Sequence, residues 1–154
     1  MIYTKLTKQA LELCFLAHLE QRDKSGLPYV FHPFHLAEQM TDERTVTTAL
    51  LHDVMEDTAC TPEDLRAMGF PEEVLEALQL LTHDPAVPYM EYVERIKANP
   101  IARAVKLADL RHNSDLSRLE SPDEADFARV RKYQAAIALL EAEPAAEPKE
   151  EGTV

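Results

Sequence analysis

The chain passes from apolar to ionic within one short stretch, Leu50-Leu51-His52-Asp53-Val54-Met55-Glu56-Asp57-Thr58. An apolar run of this kind normally leads into a core. A core accepts charged groups only when they are paired or bound to something. His52, Asp53, Glu56 and Asp57 put four ionisable groups into six residues. On a helix, Glu56 stacks one turn beyond His52, and Asp57 one turn beyond Asp53. The adjacent imidazole and carboxylate offer two ligands of different hardness, so metal binding is the chemistry this stretch suits.

Two further candidates lie elsewhere. His32 sits in Tyr29-Val30-Phe31-His32-Pro33, and Asp109 in Val105-Lys106-Leu107-Ala108-Asp109. Taken alone, a His before Pro fits a capping or packing residue, and Asp109 fits a solvated helix position. Together with His52 and Asp53 they make two imidazoles and two carboxylates. Structural zinc sites prefer thiolates and a closed tetrahedron, whereas mixed nitrogen and oxygen ligands suit manganese or iron.

The rest of the sequence reads as helices punctuated by caps and prolines. Hydrophobic content is 45% with only three glycines, which argues against a turn-rich β fold. A first helix is expected over about Thr7–Glu20, and a second from Pro33 to about Met40. One continuous helix over Glu43–Met55 would carry His52-Asp53. Thr61-Pro62-Glu63-Asp64 is a capped start, and Gly69 closes that helix. Further helices are expected after Pro71, after Pro88 and over Ile101–Asn113. A last one follows Ser121-Pro122-Asp123-Glu124, with Glu124 placed for a capping box, and runs to about Glu141. The reading is an all-α single domain over 1–142, a helical bundle around a central metal site, with a disordered acidic tail over 143–154.

Charge and length narrow the function. Net charge is −12, which disfavours nucleic acid as a partner. It also repels a polyphosphate at long range, so local bases and the metal must attract one. No stretch approaches the ~18 apolar residues of a membrane span, and Met1 onward lacks a signal-peptide pattern. With Cys14 and Cys60 as the two cysteines, Cys14 on an apolar helix face, a reduced cytoplasmic setting is expected. The sequence leaves the oligomeric state open.

From Ala17 to Asn113 the chain resembles the HD-domain hydrolases of RelA/SpoT-type alarmone enzymes, the small stand-alone alarmone hydrolases above all. Three blocks carry the resemblance. They are Ala17-His18 followed by Lys24-Ser25-Gly26-Leu27-Pro28-Tyr29-Val30-Phe31-His32-Pro33, then Ala49 to Thr58, then Val105 to Asp109 with His112-Asn113. The resemblance implies one Mn(II) per chain, or iron or another dication, held by His32, His52, Asp53 and Asp109. It implies Glu56 and Asp57 as catalytic carboxylates. It further implies a nucleotide substrate, guanosine tetra- or pentaphosphate, whose 3′-diphosphate is released as pyrophosphate. The alternatives are another nucleotide such as NADPH, or a non-catalytic regulatory module.

The same resemblance places substrate contacts at Asn113, one turn past Asp109, and at Arg129 and Tyr133, one turn apart on the last helix. Arg22 and Lys24 in the polar loop before His32 are the local bases. Two departures stand out. Where the family has a basic pair, this chain reads Asp23-Lys24. After Asn113 it reads Ser114-Asp115-Leu116 rather than an Arg-Thr pair. Asp23 is therefore expected to repel a polyanionic substrate, so that Asp23→Arg lowers KM. Lys106 and His112 read as a surface lysine and a structural histidine, His18 as a core or second-layer histidine. His83-Asp84 reads as a helix end, not a second metal site.

Overall fold

The computed structural model describes residues 1–142; the tail expected over 143–154 lies outside them. Among the described residues the regular structure is helical, apart from one isolated antiparallel bridge between Arg22 and Pro28. The helices are α1 (Lys5–Ala17), α2 (Phe31–Glu38), α3 (Glu43–Leu51), α4 (Val54–Asp57), α5 (Pro62–Ala67), α6 (Glu72–Leu81), α7 (Tyr89–Lys97), α8 (Pro100–Asn113) and α9 (Glu124–Glu141), with a 3₁₀ turn at Leu116–Arg118. None is long and apolar enough to cross a membrane.

Side-chain caps set most of the starts. Thr4, Asp42, Thr61, Asn99 and Asp123 each accept a hydrogen bond from the backbone N–H three residues on, satisfying a donor that the first turn leaves unpaired. At α5 the cap is the expected Thr61, with Pro62 in the first turn and Asp64 closing the box. Gly69, at φ 93°, takes the left-handed turn that ends it. At α9 the capping box pairs Asp123 with Asp126 rather than using Glu124. The first helix starts and ends earlier than expected, because Thr4 caps it and its regular turns stop at Ala17.

The helix expected over Glu43–Met55 is interrupted. It ends at Leu51, His52 keeps helical angles (φ −59°, ψ −34°), and Asp53 leaves them (φ −96°, ψ −7°) before the single turn of α4. Neighbouring residues on an undisturbed helix project about 100° apart, so two adjacent ligands cannot both face one point. The departure at Asp53 relieves that.

Helix α3 is the axis of the fold, packed against α1, α2, α6 and α8, while α9 covers α7 and α8. Its residues Thr45 through Leu51 are all buried. Leu36, Val46, Leu50, Leu51, Leu78, Val105 and Leu110 form the centre of one continuous core. Cys14 belongs to that core, its thiol pKa pushed up to about 12 by burial, and both cysteines are free thiols. Leu50 has no exposed surface, so Leu50→Ala should destabilise the protein by about 2–5 kcal/mol. Urea unfolding followed by circular dichroism would measure this, with an unchanged slope and a lowered midpoint expected.

Candidate metal centre and adjoining cleft

The break after α3 turns His52 and Asp53 toward α2 and α8. His32, in the first turn of α2, and Asp109, in the third turn of α8, meet them there. All four residues are buried, with relative exposures of 4% to 8%. His32, His52 and Asp109 each offer an atom within 4.8 Å of the other two. Asp109 Oδ1 lies 3.0 Å from His32 Nε2 and 3.7 Å from His52 Nε2. Asp53 Oδ2 lies 3.0 Å from His52 Nε2 and 3.8 Å from His32 Nε2. His32, His52 and Asp109 thus converge on one point, with Asp53 against both imidazoles.

The donor set fits a divalent cation. His52 Nδ1 lies 2.6 Å from the carbonyl oxygen of Ala49. A carbonyl only accepts, so Nδ1 carries the proton. Nε2 is buried and makes no hydrogen bond; the Asp53 oxygen is close, but off the direction a hydrogen bond needs. Burial alone would lower the His52 pKa, yet Asp53 and Asp109 raise it well above the usual imidazole range. A buried nitrogen that faces two carboxylates calls for a positive charge in front of it, and a metal ion supplies one with ordinary ligand chemistry.

Each member of the set is held by a partner behind it. His32 Nδ1 lies 2.6 Å from His112 Nδ1, with the two rings only 10° from coplanar. Burial, then the neighbouring His32 and Arg118, lower the His112 pKa to about 4. His112 is therefore neutral near pH 7 and can accept the His32 Nδ1 proton, while His32 Nε2 faces Asp109 Oδ1 at 3.0 Å. His35 stacks behind His112 at 4.3 Å between ring centres. Asp53 Oδ2 accepts from the Tyr29 hydroxyl, and burial followed by the Asp53 charge raises the Tyr29 pKa and keeps it protonated.

Asp109 Oδ2 accepts from Lys106 Nζ at 2.9 Å, and Asp109 Oδ1 from Asn113 Nδ2 at 2.9 Å. Lys106 is not the surface lysine expected. Its side chain is 13% exposed and its ammonium lies 5.4 Å from the Tyr92 ring centre. Burial would lower its pKa, but the Asp109 charge overrides this and raises it. Burial would likewise raise the Asp109 pKa, and Lys106 brings it well below the usual carboxylate range. Such partners fix the orientation of metal ligands. Spacing alone hinted at Lys106, three residues before Asp109 on the same face. Nothing local pointed to Tyr29 or His112.

Glu56 and Asp57 follow on α4 and reach solvent. Asp57 accepts from Gln21 Nε2 at 3.1 Å, and Gln21 in turn meets the buried His18 through Nδ1 at 2.8 Å. Although Glu56 is exposed, crowding at its carboxyl and then the Asp53 charge raise its pKa above the ordinary value. The His83 and Asp84 side chains bond elsewhere, His83 Nε2 to the Val87 carbonyl and Asp84 Oδ1 accepting from Ala86 N, while the His83 backbone meets the Glu56 carboxyl.

A cavity of about 280 Å³ opens beside His32 and Tyr29. Arg22, Lys24, Asn113, Arg129 and Tyr133, the five expected substrate contacts, all line it, together with Asp23 and Arg118. Arg22 donates to the Gly26 carbonyl at 2.8 Å, and Arg129 pairs with Asp126.

Asp23 has four partners, three of them in its own loop. Its Oδ1 accepts from Ser25 N at 2.9 Å, Ser25 Oγ at 2.6 Å and Leu27 N at 3.0 Å. Its Oδ2 faces Arg118 Nη1 at 3.4 Å. Burial would raise its pKa, but these bonds leave it lowered. The carboxylate that lines the cavity is thus engaged by its own loop and by Arg118.

No family model matches the chain. Individual proteins do. Human MESH1, a guanosine-3′,5′-bis(diphosphate) 3′-pyrophosphohydrolase, is 33% identical over 139 residues, covering 81% of this chain and 76% of that one. Its Danio rerio counterpart is 35% identical over 130 residues, covering 75% and 71%. The Aquifex aeolicus guanosine-3′,5′-bis(diphosphate) 3′-pyrophosphohydrolase is 36% identical over 86 residues, 53% of this chain and 12% of that much longer one. A solved structure of a metazoan ortholog of SpoT, described as hydrolysing ppGpp, shares the fold with a TM-score of 0.75 and 23% identity, over 94% of this chain and 90% of that one. With this identity across most of both chains and the same helical fold, the protein belongs to the MESH1 family of guanosine-3′,5′-bis(diphosphate) 3′-pyrophosphohydrolases.

Proposed function

We propose that this protein is a metal-dependent hydrolase that removes the 3′-diphosphate of guanosine tetra- or pentaphosphate, releasing pyrophosphate and GDP or GTP. The observation that carries the reading is the buried His32–His52–Asp109 cluster opening beside a cavity lined by bases in a chain of net charge −12. His32, His52, Asp53 and Asp109 would hold one Mn(II). The named activities of the relatives supply the substrate.

Bound there, a divalent cation neutralises phosphate oxygens and acidifies a water. The chain's own residues do the rest. Lys24, Arg22 and Arg129 grip the phosphates, with planar forks on the two arginines. Tyr133 packs on the nucleoside, and Asn113 reaches both Asp109 and the cleft. Glu56 takes a proton from the attacking water, while Asp57, anchored by Gln21, shapes that end of the site. The water oxygen bonds to the phosphorus attached to the ribose 3′ oxygen. That phosphorus–oxygen bond breaks, and the 3′ oxygen leaves to take up a proton. No serine or cysteine is needed as nucleophile.

Four outcomes test this. Chromatography of nucleotides incubated with the manganese-loaded protein should show guanosine tetraphosphate converted to GDP and pyrophosphate, with the activity lost on chelation and restored by Mn(II). Cleavage of a different nucleotide alone would retain the metal site and remove the substrate assignment. Asp109→Ala should lose both metal and turnover. Glu56→Gln should keep about one metal per chain by elemental analysis and lose ~10²-fold or more in kcat; full activity would transfer the proton-accepting role to Asp57. Finally, Lys106→Met should weaken Mn(II) binding by about 10–100-fold in a calorimetric titration. Unaltered affinity would show that Lys106 does not orient Asp109.

A further inference from the structure

The cleft has two ends. At the inner end, His32 and Tyr29 reach the buried carboxylates. At the outer end, the loop before α2 and the 3₁₀ turn after α8 approach each other, and Asp23 and Arg118, 95 positions apart in sequence, join them. Arg118 is fixed on two sides. Nη1 points to Asp23 at 3.4 Å, and Nη2 donates to the His112 carbonyl at 3.1 Å. Its Nε–H is buried and has no partner. His112 stands between Arg118 and His32, so Arg118 lies on the side of the cleft away from the metal ligands.

That position decides what Arg118 meets. The scissile phosphate belongs at the inner end, so the outer end takes a part of the substrate remote from it. Net positive charge for the remaining phosphates comes from Lys24, which forms no ion pair among the described residues, and from Arg22, which is bonded only to a neutral carbonyl. Arg118 differs from these two, because Asp23 offsets its charge as Asp126 offsets that of Arg129, and because its guanidinium is also tied to the backbone of His112. What remains is a planar guanidinium held in place, with one further N–H on each of Nη1 and Nη2 beyond those given to Asp23 and His112, in a cavity wall that also includes Leu116 and Leu119. Such a group suits a flat, neutral ring with acceptors on one edge. Guanine presents O6 and N7 in that arrangement, whereas adenine presents a donor in place of O6.

We propose that Arg118, held by Asp23, reads the purine base and makes this enzyme prefer guanine. The inference rests on the substrate reading above and names a residue that sets its specificity.

The test compares kcat/KM for guanosine 3′,5′-bis(diphosphate) and for its adenosine counterpart in the wild type, Arg118→Gln, Arg118→Lys and Asp23→Asn. GDP and ADP binding is measured alongside, without turnover. Arg118→Gln should lower the guanosine-to-adenosine ratio by about 10-fold or more, the scale of one bidentate pair. The loss should fall in KM for the guanosine compound alone, with metal content and the adenosine constants unchanged. GDP binding should weaken by the same factor and ADP binding should not. Arg118→Lys should behave like Arg118→Gln, because charge without the planar fork is insufficient. Asp23→Asn keeps the Oδ1 acceptor of the loop and should lower the ratio by less.

Equal losses for both nucleotides, an unchanged ratio, or full discrimination in Arg118→Lys would overturn the proposal. If the wild type cleaves neither compound, the substrate reading fails. GDP and ADP binding then decides on Arg118: an identical preference in wild type and Arg118→Gln refutes it, and a preference lost only in the variant upholds it.

Discussion

Two carboxylates with almost no access to water set the terms for this protein. Asp53 and Asp109 are 8% and 7% exposed, and a buried carboxylate is tolerated only when its charge is met within the protein. Four elements contribute to meeting it: the loop before α2 brings Tyr29, α2 brings His32, the end of α3 brings His52, and α8 brings Lys106 and Asn113. These are the elements around the central helix α3, so the packing of the bundle and the electrostatics of its centre depend on each other. Core leucines of α3 and α8 hold the carboxylates in place, and the polar partners keep that centre from being an uncompensated cost. A dication would complete the balance, because two carboxylates converge on the His32 and His52 rings, with Lys106 as the ammonium held against Asp109.

Much of this was legible in the sequence, and the misses have physical reasons. A capped start such as Thr61-Pro62 announces itself because the cap bond is local, whereas at α9 the cap is Asp123, boxed with Asp126 and not with Glu124. His52 and Asp53 stood out because ionisable residues after an apolar run demand a reason, and the family resemblance added His32 and Asp109 as candidates. The break after Leu51 was not. Periodicity runs through it, and only the need to aim two adjacent side chains at one point bends the backbone at Asp53. Lys106 was misread for a related reason: a lysine reads as solvated unless its partner is seen, and the buried Tyr92 ring beneath it lies on another helix.

Asp23 shows the same limit in the charge pattern. Sequence gives the sign of a side chain and not its partners. Three local donors and one distant arginine take up this carboxylate, which turns an expected repulsion into a brace. The distant partner could not be found by spacing. The local donors could, since an Asp followed two residues later by Ser is a common turn former. The cleft is consequently more basic than the loop sequence implies, and this local balance, not the net charge of −12, is what a phosphate at the site experiences.

The division between helix and loop carries over to how such an enzyme can change. The metal ligands and the partners behind them lie mainly on packed helices, where a shift in one disturbs several buried contacts. The outer cleft is built from the loop before α2 and the turn after α8, joined at their tips by Asp23 and Arg118. Loops accept substitutions that helices at a buried centre do not. Residues 22–24 and 115–119 can therefore be rewritten with little effect on the buried ligand set. A charge lost from one wall of the cleft can be supplied from the other, provided that a partner holds it in position. The buried His–Asp cluster and the outer cleft are thus built from separate elements of this fold, and the departures from the family sequence at Asp23 and Ser114–Leu116 fall in the loop and turn of the outer cleft.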